Sequence, residues 1–317
     1  MDILKSARKT LQIEGESLLS LIDQLNDDFK DAVESILKSK GRLVITGVGK
    51  SANIAHKMVA TFNSTGQPAL FMHAADALHG DLGNVLKDDV VLCISNSGNT
   101  EEIKALIPLI RTMGNTLIGM TGNTESFLAK ESNYVINSHV AKEACPNNLA
   151  PTSSTTAQLA LGDALAVCLL EKRNFSEEDF AKYHPGGSLG KRLYLTAGEL
   201  AAKHERPQVD INDSLSTAVI EISKKRLGAC VVLDQSKIAG IITDGDIRRA
   251  LEKNANLSDF KASEVMSKSP KSVEASDLAS HALGIMEKHN ITQLVVLDKG
   301  SFAGIIHLHD ILKEGIF

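Results

Sequence analysis

The sequence has 317 residues, 43% of them hydrophobic, and a formal net charge of -5 at pH 7. That length allows two domains with cores of their own, and the acidic balance argues against nucleic acid as the main partner. Aromatic residues make up only 4% and tryptophan is absent, so a base-stacking surface is also disfavoured.

The N-terminus and the cysteines indicate a cytoplasmic protein. The first ten residues, MDILKSARKT, lack the apolar core and the small-residue cleavage site of a signal peptide. No apolar run approaches the length of a membrane span, so no membrane partner is expected. The cysteines form no C-x-x-C pair and are expected to be reduced, mostly buried thiols, with no nucleophile among them. They are Cys93, Cys145, Cys168 and Cys230.

Hydrophobic periodicity predicts an α/β domain in the first part of the chain. Residues 2–40 carry apolar side chains at helical spacing, which predicts one or two amphipathic helices. Strands and helices then alternate, and continuous apolar runs such as VVLCI are typical of central parallel strands. The pattern predicts a parallel five-stranded sheet flanked by helices. The predicted strands are 43–46, 69–72, 90–94, 116–120 and 134–136, and the predicted helices are 51–63, 100–113 and 155–171.

The stretch TGVGKSA after the first strand resembles two nucleotide-binding turns and satisfies neither. A P-loop needs a glycine five residues before Gly49, where the sequence has Val44 inside the strand. A dinucleotide turn needs an acid about twenty residues further on, and the segment 66–73 has none. With both nucleotide-binding turns excluded, the stretch predicts a strand, a glycine turn and a helix that starts near Ser51. This backbone arrangement suits anions.

The loop Ser95–Thr100, reading SNSGNT, follows the apolar strand and opens a helix. Hydroxyls and free backbone N–H groups converge at such a point, where the helix N-terminus favours negative charge. An ordinary N-cap needs a single hydroxyl, so this loop predicts phosphate binding. The loop PTSSTT at 151–156 precedes the next helix in the same way and is either a cap or a second wall of the same pocket.

Several ionisable residues lie in turns beside these loops. Lys50 follows the glycine turn and could contact phosphate or an oxyanion, and Glu102 falls in the first turn after SNSGNT, where an acid also complements the helix dipole. His79 and His184 lie in glycine-flanked loops, where a lone histidine is more often structural. Glu143, in AKEACP, is ambiguous by itself.

Together these residues point to enolisation of a sugar phosphate. Moving a carbonyl between C1 and C2 needs a base, an electrophile for the enediolate oxygen and a grip on the phosphate. None of these steps needs redox chemistry or a metal, so no cofactor is expected. Two alternatives stay open: a non-catalytic regulator that senses a sugar phosphate, and an isomerase of a different sugar phosphate.

An internal repeat with an offset of 64 residues begins beyond residue 196. VVLD at 231–234 recurs at 295–298, and AGII at 239–242 recurs at 303–306. Each copy is predicted to run helix, strand, turn, strand, helix, and two such small units are expected to pack face to face.

The first domain resembles the sugar isomerase (SIS) family, whose hallmark is the S-x-S-G-x-T loop found here at Ser95–Thr100. The shared stretches are GVGKSANIAHKMVATFNSTG, LHGDLG, ISNSGNTEEI, VAKEACPNNLAPTSSTTAQLALGDALAV and YHPGGSLGKRL. The resemblance implies an aldose–ketose isomerase that interconverts D-ribulose 5-phosphate and D-arabinose 5-phosphate, the first step toward Kdo of bacterial lipopolysaccharide.

The resemblance also assigns residues. It implies Lys50, Glu102, Glu143 and His184 as the catalytic set, with Glu102 as the base, His184 for ring opening or proton shuttling, and Lys50 beside the oxyanion. A homotetramer is implied, with His184 acting in a neighbour's pocket, and His73 is implied as a site of inhibitory zinc. The implied substrate-binding residues are Ser51, His79, Ser95, Asn96, Ser97, Gly98, Thr100, Ser153 and Ser154.

The repeat resembles a tandem pair of CBS modules, which bind adenine nucleotides through a T-x-x-D pattern. Thr243 and Asp246 fit that pattern, whereas the second copy has His307 in the threonine position. A site for a nucleotide or pathway metabolite and a purely structural role both stay open. The predicted domains are 1–197 for the isomerase part, 203–260 for the first repeat and 264–317 for the second.

Overall fold

The computed structural model describes residues 2–253 and 256–317. The chain divides into two compact units, the first ending at Tyr183 and the second running from His184 to Phe317. The boundary lies earlier than the predicted residue 197. The helix at Ser188–Tyr194 belongs to the second unit because its end is bonded there, for example where the Ala279 N–H donates to the Leu195 carbonyl at 2.8 Å.

The first unit is a parallel five-stranded sheet with helices on both faces, as predicted, and its strand order is β2-β1-β3-β4-β5. Along β1, Leu43 and Ile45 join the core on one face while Val44 joins the core on the other. Both layers therefore bury apolar side chains against the same sheet. The elements are α1 Ile3–Ser20, α2 Asp27–Lys38, β1 Leu43–Gly47, α3 Gly49–Ser64, β2 Ala69–His73, α4 Ala74–Ala77, β3 Val90–Ile94, α5 Glu101–Met113, β4 Thr116–Thr121, α6 Phe127–Glu131, β5 Tyr134–Asn137, α7 Ser153–Lys172 and α8 Glu177–Tyr183.

Among the described residues one helix, α7, has the length and composition of a membrane span, with a mean hydropathy of 1.2. Half of this apolar stretch of α7 is buried inside the protein, and α7 packs on α3 and α1. A close approach at Gly162, where a Cβ would lie 2.6 Å from the Met58 side chain, fits α7 to α3. These contacts are those of the core helix of an α/β domain.

The second unit contains the two repeat copies, each built as strand, helix, strand, strand, helix. Their sheets face each other across a shared apolar layer that includes Val231, Val295 and Ile305, as the repeat predicts. The elements are α9 Ser188–Tyr194, α10 Ala197–Ala201, β6 Gln208–Asp210, α11 Leu215–Lys225, β7 Ala229–Asp234, β8 Lys237–Thr243, α12 Asp244–Lys253, α13 Ala262–Val265, β9 Ser267–Lys268, β10 Ser272–Glu274, α14 Ala279–His289, β11 Gln293–Asp298, β12 Ser301–His307 and α15 Leu308–Lys313.

Each copy is completed by the short helix that precedes the other copy. Helix α10 packs into the core of the second copy, and the Ala197 N–H donates to the Asp277 carbonyl at 2.8 Å. In the mirrored arrangement α13 packs into the core of the first copy, and the Ala262 N–H donates to the Asp213 carbonyl at 2.8 Å. The two copies therefore exchange short helices and are parts of one structural unit.

Candidate active site

Helices α3, α5 and α7 begin around one cavity of about 410 Å³ in the first unit. Strands β1 and β3 are neighbours with Gly47 paired to Ile94, so the loops after them leave the same edge of the sheet. β2 and β3 lie on opposite sides of β1, and open α/β sheets bind ligands at such a reversal of strand order. The positive ends of three helix dipoles meet here, which makes this cavity suited to an anion. The predicted site residues that line it are Lys50, Ser51, Ser95, Asn96, Ser97, Thr100 and Ser154.

The SNSGNT loop holds its shape through its own bonds and still leaves one hydroxyl without a partner. The Gly98 N–H donates to Ser95 Oγ at 3.1 Å, and Gly98 has a φ of +64°. A Cβ on Gly98 would lie 2.5 Å from the Ser126 Cβ, so only glycine fits there. Thr100 caps α5 without a side-chain cap bond, and its buried Oγ1 has no hydrogen-bond partner within the described chain. That hydroxyl is placed to donate to a bound oxygen.

Lys50 and Ser51 enter the cavity from the first turn of α3. Helix α3 begins at Gly49, two residues before the predicted start, with a φ of +58° at that glycine. Lys50 is exposed at the cavity wall, and Ser51 Oγ donates to Gln158 Oε1 at 3.1 Å. Gln158 is fully buried, and its Nε2 has no partner among residues 2–253 and 256–317.

Sequence reasoning missed Gln158, although a signal was present. It lies on the buried face of α7 that also carries Leu161 and Leu165. One amide among apolar neighbours at helical spacing indicates a buried polar group that needs a partner. Here that partner is Ser51, and the remaining amide N–H groups point to a role beside the ligand.

Glu143 lies on the wall of a second cavity of about 330 Å³, which shares Asn96 and Pro151 with the first. Its Oε2 accepts hydrogen bonds from the Thr152 N–H at 2.7 Å, the Thr152 Oγ1 at 3.0 Å and the Ser154 N–H at 3.2 Å. The carboxylate therefore caps α7, and Oε1 accepts none of these three bonds.

The pKa of Glu143 is set by two opposing effects. Burial by itself would raise the pKa, but the hydrogen bonds from Ser154 and Thr152 outweigh it and hold the pKa below its ordinary value. Glu143 is therefore a carboxylate at neutral pH, fixed at the edge of the anion cavity.

Three predicted residues lie elsewhere in the described chain. Glu102 is exposed in the first turn of α5 and lines neither of these two cavities, and His79 is exposed in the loop after α4. His184 is the first residue of the second unit. The first unit therefore brings together Lys50, the hydroxyl loops and Glu143, and leaves these three outside that group.

The histidine proposed for zinc lies near one aspartate of the following helix. His73 Nδ1 lies 3.8 Å from Asp76 Oδ2, and no group of three or more His, Cys, Asp or Glu side chains that could hold a metal is found in the part of the chain that the structure describes. Zinc at His73 stays a prediction.

Comparisons with known proteins agree with this geometry. The SIS domain family matches residues 35–168, and the CBS domain family matches residues 198–253 and 262–316. The chain is 48% identical to arabinose 5-phosphate isomerase KdsD of Pseudomonas aeruginosa, covering 100% of this chain and 98% of that protein. It is 43% identical to the protein of the same name from Escherichia coli K12, covering 99% and 97%.

The chain belongs to the arabinose 5-phosphate isomerase family. A solved structure of the Escherichia coli CFT073 protein c3406 in complex with arabinose 5-phosphate matches it with 41% identity and a TM-score of 0.57, covering 58% of this chain and 98% of that one. A relative of little more than half this length therefore retains the SIS fold.

In the CBS pair of this family member, the Thr243–Asp246 pattern is engaged with itself. Asp246 is 5% exposed, and its Oδ2 accepts hydrogen bonds from the Thr243 N–H at 2.9 Å and the Thr243 Oγ1 at 2.6 Å. Its Oδ1 accepts bonds from Ser267 Oγ at 3.0 Å and from Arg249 Nη2 at 2.5 Å. A carboxylate with four partners has little capacity left for a ribose, so its role in the predicted nucleotide site stays a prediction.

A cavity of about 760 Å³ in the second unit is lined by residues of both copies. Lys225, Arg226 and Lys313 supply positive charge to its wall, and His204 Nε2 lies 2.9 Å from Asp310 Oδ2. Burial and the nearby His309 lower the pKa of His307, which also lines this cavity. The wall therefore carries three cationic side chains beside two acids, Asp244 and Asp310, and Lys225 is also paired with Glu205.

Proposed function

We propose that this protein interconverts D-ribulose 5-phosphate and D-arabinose 5-phosphate. The observation that carries the proposal is the cavity where three helices begin, because its hydroxyls and N–H groups match a phosphate, while Lys50 lies along its wall and Glu143 lines the adjoining cavity. Full-length similarity to enzymes named for this substrate supports the same assignment. The reaction is the first step toward Kdo, and we propose that it takes place in the cytoplasm.

The phosphate is held by hydroxyls and by the helix N-termini. Ser95, Ser97 and Thr100 contact it from the loop before α5, with Ser51 at α3 and Ser153 and Ser154 at α7. Thr100 lines the cavity, and its Oγ1 is buried and without a partner among the described residues, so a phosphate oxygen would satisfy a group that is costly to leave unpaired. Hydrogen bonds to an ionised acceptor are also the stronger kind.

The chemistry is proton transfer through an enediolate. A carboxylate removes a proton from C1 of the ketose, and electron density moves onto the C2 oxygen. The hydroxyl proton on O1 then passes to O2, and the carboxyl group, whose proton exchanges with solvent, delivers a proton to C2, so that C1 becomes the aldehyde of the aldose. Lys50 stabilises the oxygen that becomes negative, His184 opens the sugar ring or shuttles a proton, and His79 contacts the substrate. No cofactor is required by this sequence of steps.

Two carboxylates are candidates for the base, Glu102 first and Glu143 second. Glu102→Gln abolishes turnover while phosphate-dependent binding persists if Glu102 is the base; retained turnover removes it from that role. Glu143→Gln then decides the second case, and it also loosens α7, so its binding of arabinose 5-phosphate has to be measured beside its turnover.

We also propose that the protein is a homotetramer. Large apolar side chains are exposed along the N-terminal helix, with Leu4 at 66%, Leu11 at 71% and Leu19 at 68% exposure. Large apolar side chains exposed along one helix are typical of a surface that is covered in an assembly. Light scattering on wild type and on Leu11→Glu/Leu19→Glu tests this, since the double variant should dissociate.

For the CBS pair we propose a nucleotide or pathway metabolite bearing negative charge, because Lys225, Arg226 and Lys313 line its cavity. Calorimetry with adenine and cytidine nucleotides tests the assignment. If none of these nucleotides gives a heat of binding at millimolar concentration, a purely structural role of the CBS pair would be supported instead.

The isomerase assignment is tested by incubating full-length protein with ribulose 5-phosphate and a chelator. Formation of arabinose 5-phosphate, observed by NMR, is expected. Tight binding without any aldose would instead indicate a sugar-phosphate sensor, and turnover of only other sugar phosphates would change the substrate.

A further inference from the structure

His184 lies in a turn that is folded tightly against helix α9. The Gly187 N–H donates to the His184 carbonyl at 3.1 Å, and α9 follows at once. A Cβ on Gly190 would lie 2.6 Å from Pro185 Cα, so glycine permits this approach of turn to helix. The position of the His184 backbone therefore follows the position of α9. Residues 184–194 are called the His184 segment below.

Helix α9 has only seven residues and depends on contacts with the second repeat copy. Its end is tied to α14, where Ser280 Oγ donates to the Arg192 carbonyl at 3.1 Å. Its side is tied to the C-terminal tail, where Lys191 Nζ lies 2.6 Å from Glu314 Oε2. The hydrogen bond from Ser280 fixes the end of α9, and the ion pair with Glu314 fixes its rotation and lateral position.

Glu314 binds a second lysine with its other oxygen. Lys203 Nζ, just after α10, lies 2.6 Å from Glu314 Oε1. Hydrogen bonds from Lys191 and Lys203 lower the pKa of Glu314 to about 2, so the carboxylate is ionised at any working pH. One carboxylate thus joins the His184 segment, helix α10 and the C-terminal tail of the same unit.

This junction adjoins the 760 Å³ cavity of the CBS pair. His204 and Lys313, the chain neighbours of Lys203 and Glu314, both line that cavity. A movement of His204 or Lys313 in the cavity wall would therefore be passed directly along the chain to Lys203 or Glu314.

We propose that Glu314 is a positioning residue of the isomerase, which through Lys191 holds the His184 segment on the second CBS copy and so sets the position of His184. The proposal rests on the catalytic role proposed for His184. A surface ion pair contributes little to folding stability, whereas a displacement of about 1 Å in a reacting group can cost about 100-fold in rate. Loss of Glu314 should therefore affect turnover far more than stability.

The test is Glu314→Gln in the full-length protein, a nearly isosteric change that removes the charge. We expect kcat to fall about tenfold or more, with little change in KM and little change in the thermal unfolding temperature. Glu34→Gln is the matched control, because Glu34 also lies between two lysines, Lys172 at 3.3 Å and Lys38 at 3.7 Å, in the first unit. It should leave kcat unchanged.

Three further variants separate positioning from a general loss of structure. Lys191→Met should reproduce the fall in kcat, while Lys203→Met should have a smaller effect, because Lys203 does not lie on α9. The double variant His184→Ala/Glu314→Gln should be no slower than His184→Ala, since Glu314 acts through His184.

An unchanged kcat in a folded Glu314→Gln variant overturns the proposal, and so does an additive loss in the double variant. A fully active His184→Ala variant overturns its premise, the role of His184, while leaving the isomerase assignment intact. Wild-type protein without isomerase activity would instead remove the proposed function itself.

Discussion

The loop Ser95–Thr100 and the pattern Thr243–Asp246 occupy similar places in the two units, each between a strand and the helix after it. In the first, the buried Thr100 Oγ1 has no hydrogen-bond partner within the described residues. In the second, the Asp246 carboxylate has four bonds from three side chains and one backbone amide of its own unit. Residue type indicates where a site can lie, and the groups left without partners indicate whether a ligand is needed there.

The largest expected difference between the two regions concerns their glycines. Gly98→Ala would place a Cβ 2.5 Å from the Ser126 Cβ in a left-handed conformation, which displaces the phosphate loop. We expect kcat/KM to fall about 100-fold or more. Gly245→Ala is the matched change in the second unit, where the Cβ would lie 3.5 Å from Arg249 Nη1 in ordinary contact. An equal fall in kcat/KM in the two variants would contradict this difference between the two regions.

Removing a threonine hydroxyl should give opposite results in the two regions. Thr100→Val removes the proposed donor to the phosphate, and KM should rise about tenfold because a hydrogen bond to a charged group contributes about 1.5–3 kcal/mol. Thr243→Val breaks the 2.6 Å bond to Asp246, and should lower the free energy of unfolding by about 1–3 kcal/mol without changing KM. Steady-state kinetics and denaturant unfolding of each variant measure this; a rise in KM for Thr243→Val would refute it.

The acid side of the stability profile should depend on Glu143. Its pKa is lower in the folded protein than the ordinary 4.5, so its contribution to stability is complete above pH 4.5 and is lost as pH falls through the folded value. Glu143→Gln should therefore be less stable than wild type at pH 7, by about 1 kcal/mol for a lost helix cap, and the gap should narrow at pH 3. Thermal unfolding at both pH values gives the answer, and a gap that widens in acid would show the sign to be wrong.

The smallest expected effect is a difference in the rates at which the cysteine thiols are chemically labelled. Burial raises the pKa of Cys93 and Cys230 to about 12, whereas backbone N–H groups of Ala150 and Leu149 lower the pKa of Cys145. Brief iodoacetamide treatment at pH 7 should modify Cys145 first, as peptide mass spectrometry would show. Faster labelling of Cys93 would mean that the sheet core opens.

The alternation of strands and helices, the five parallel strands and the repeat could be predicted because each depends on periodicity within one segment. The cradle of Ser51, Ser95 and Thr100 was predictable for the same reason, since strand ends meet at one edge of a sheet. The exchange of α10 and α13 between the copies could not be predicted, because it depends on packing between segments about 50 to 80 residues apart in the chain. Three further features could not be predicted, because they depend on contacts distant in sequence or on exact geometry. They are the hydrogen bond from Ser51 to Gln158, the capping of α7 by Glu143, and the four hydrogen bonds accepted by Asp246.

The proposed reaction is proton transfer on a sugar phosphate held at the helix N-termini. It is tested most directly by incubating wild-type protein with ribulose 5-phosphate in deuterated water with a chelator and analysing the product by NMR. Arabinose 5-phosphate with deuterium at C2, formed at a much lower rate by Gly98→Ala, is the predicted result. Arabinose 5-phosphate without deuterium, or an equal rate in Gly98→Ala, would contradict the claim.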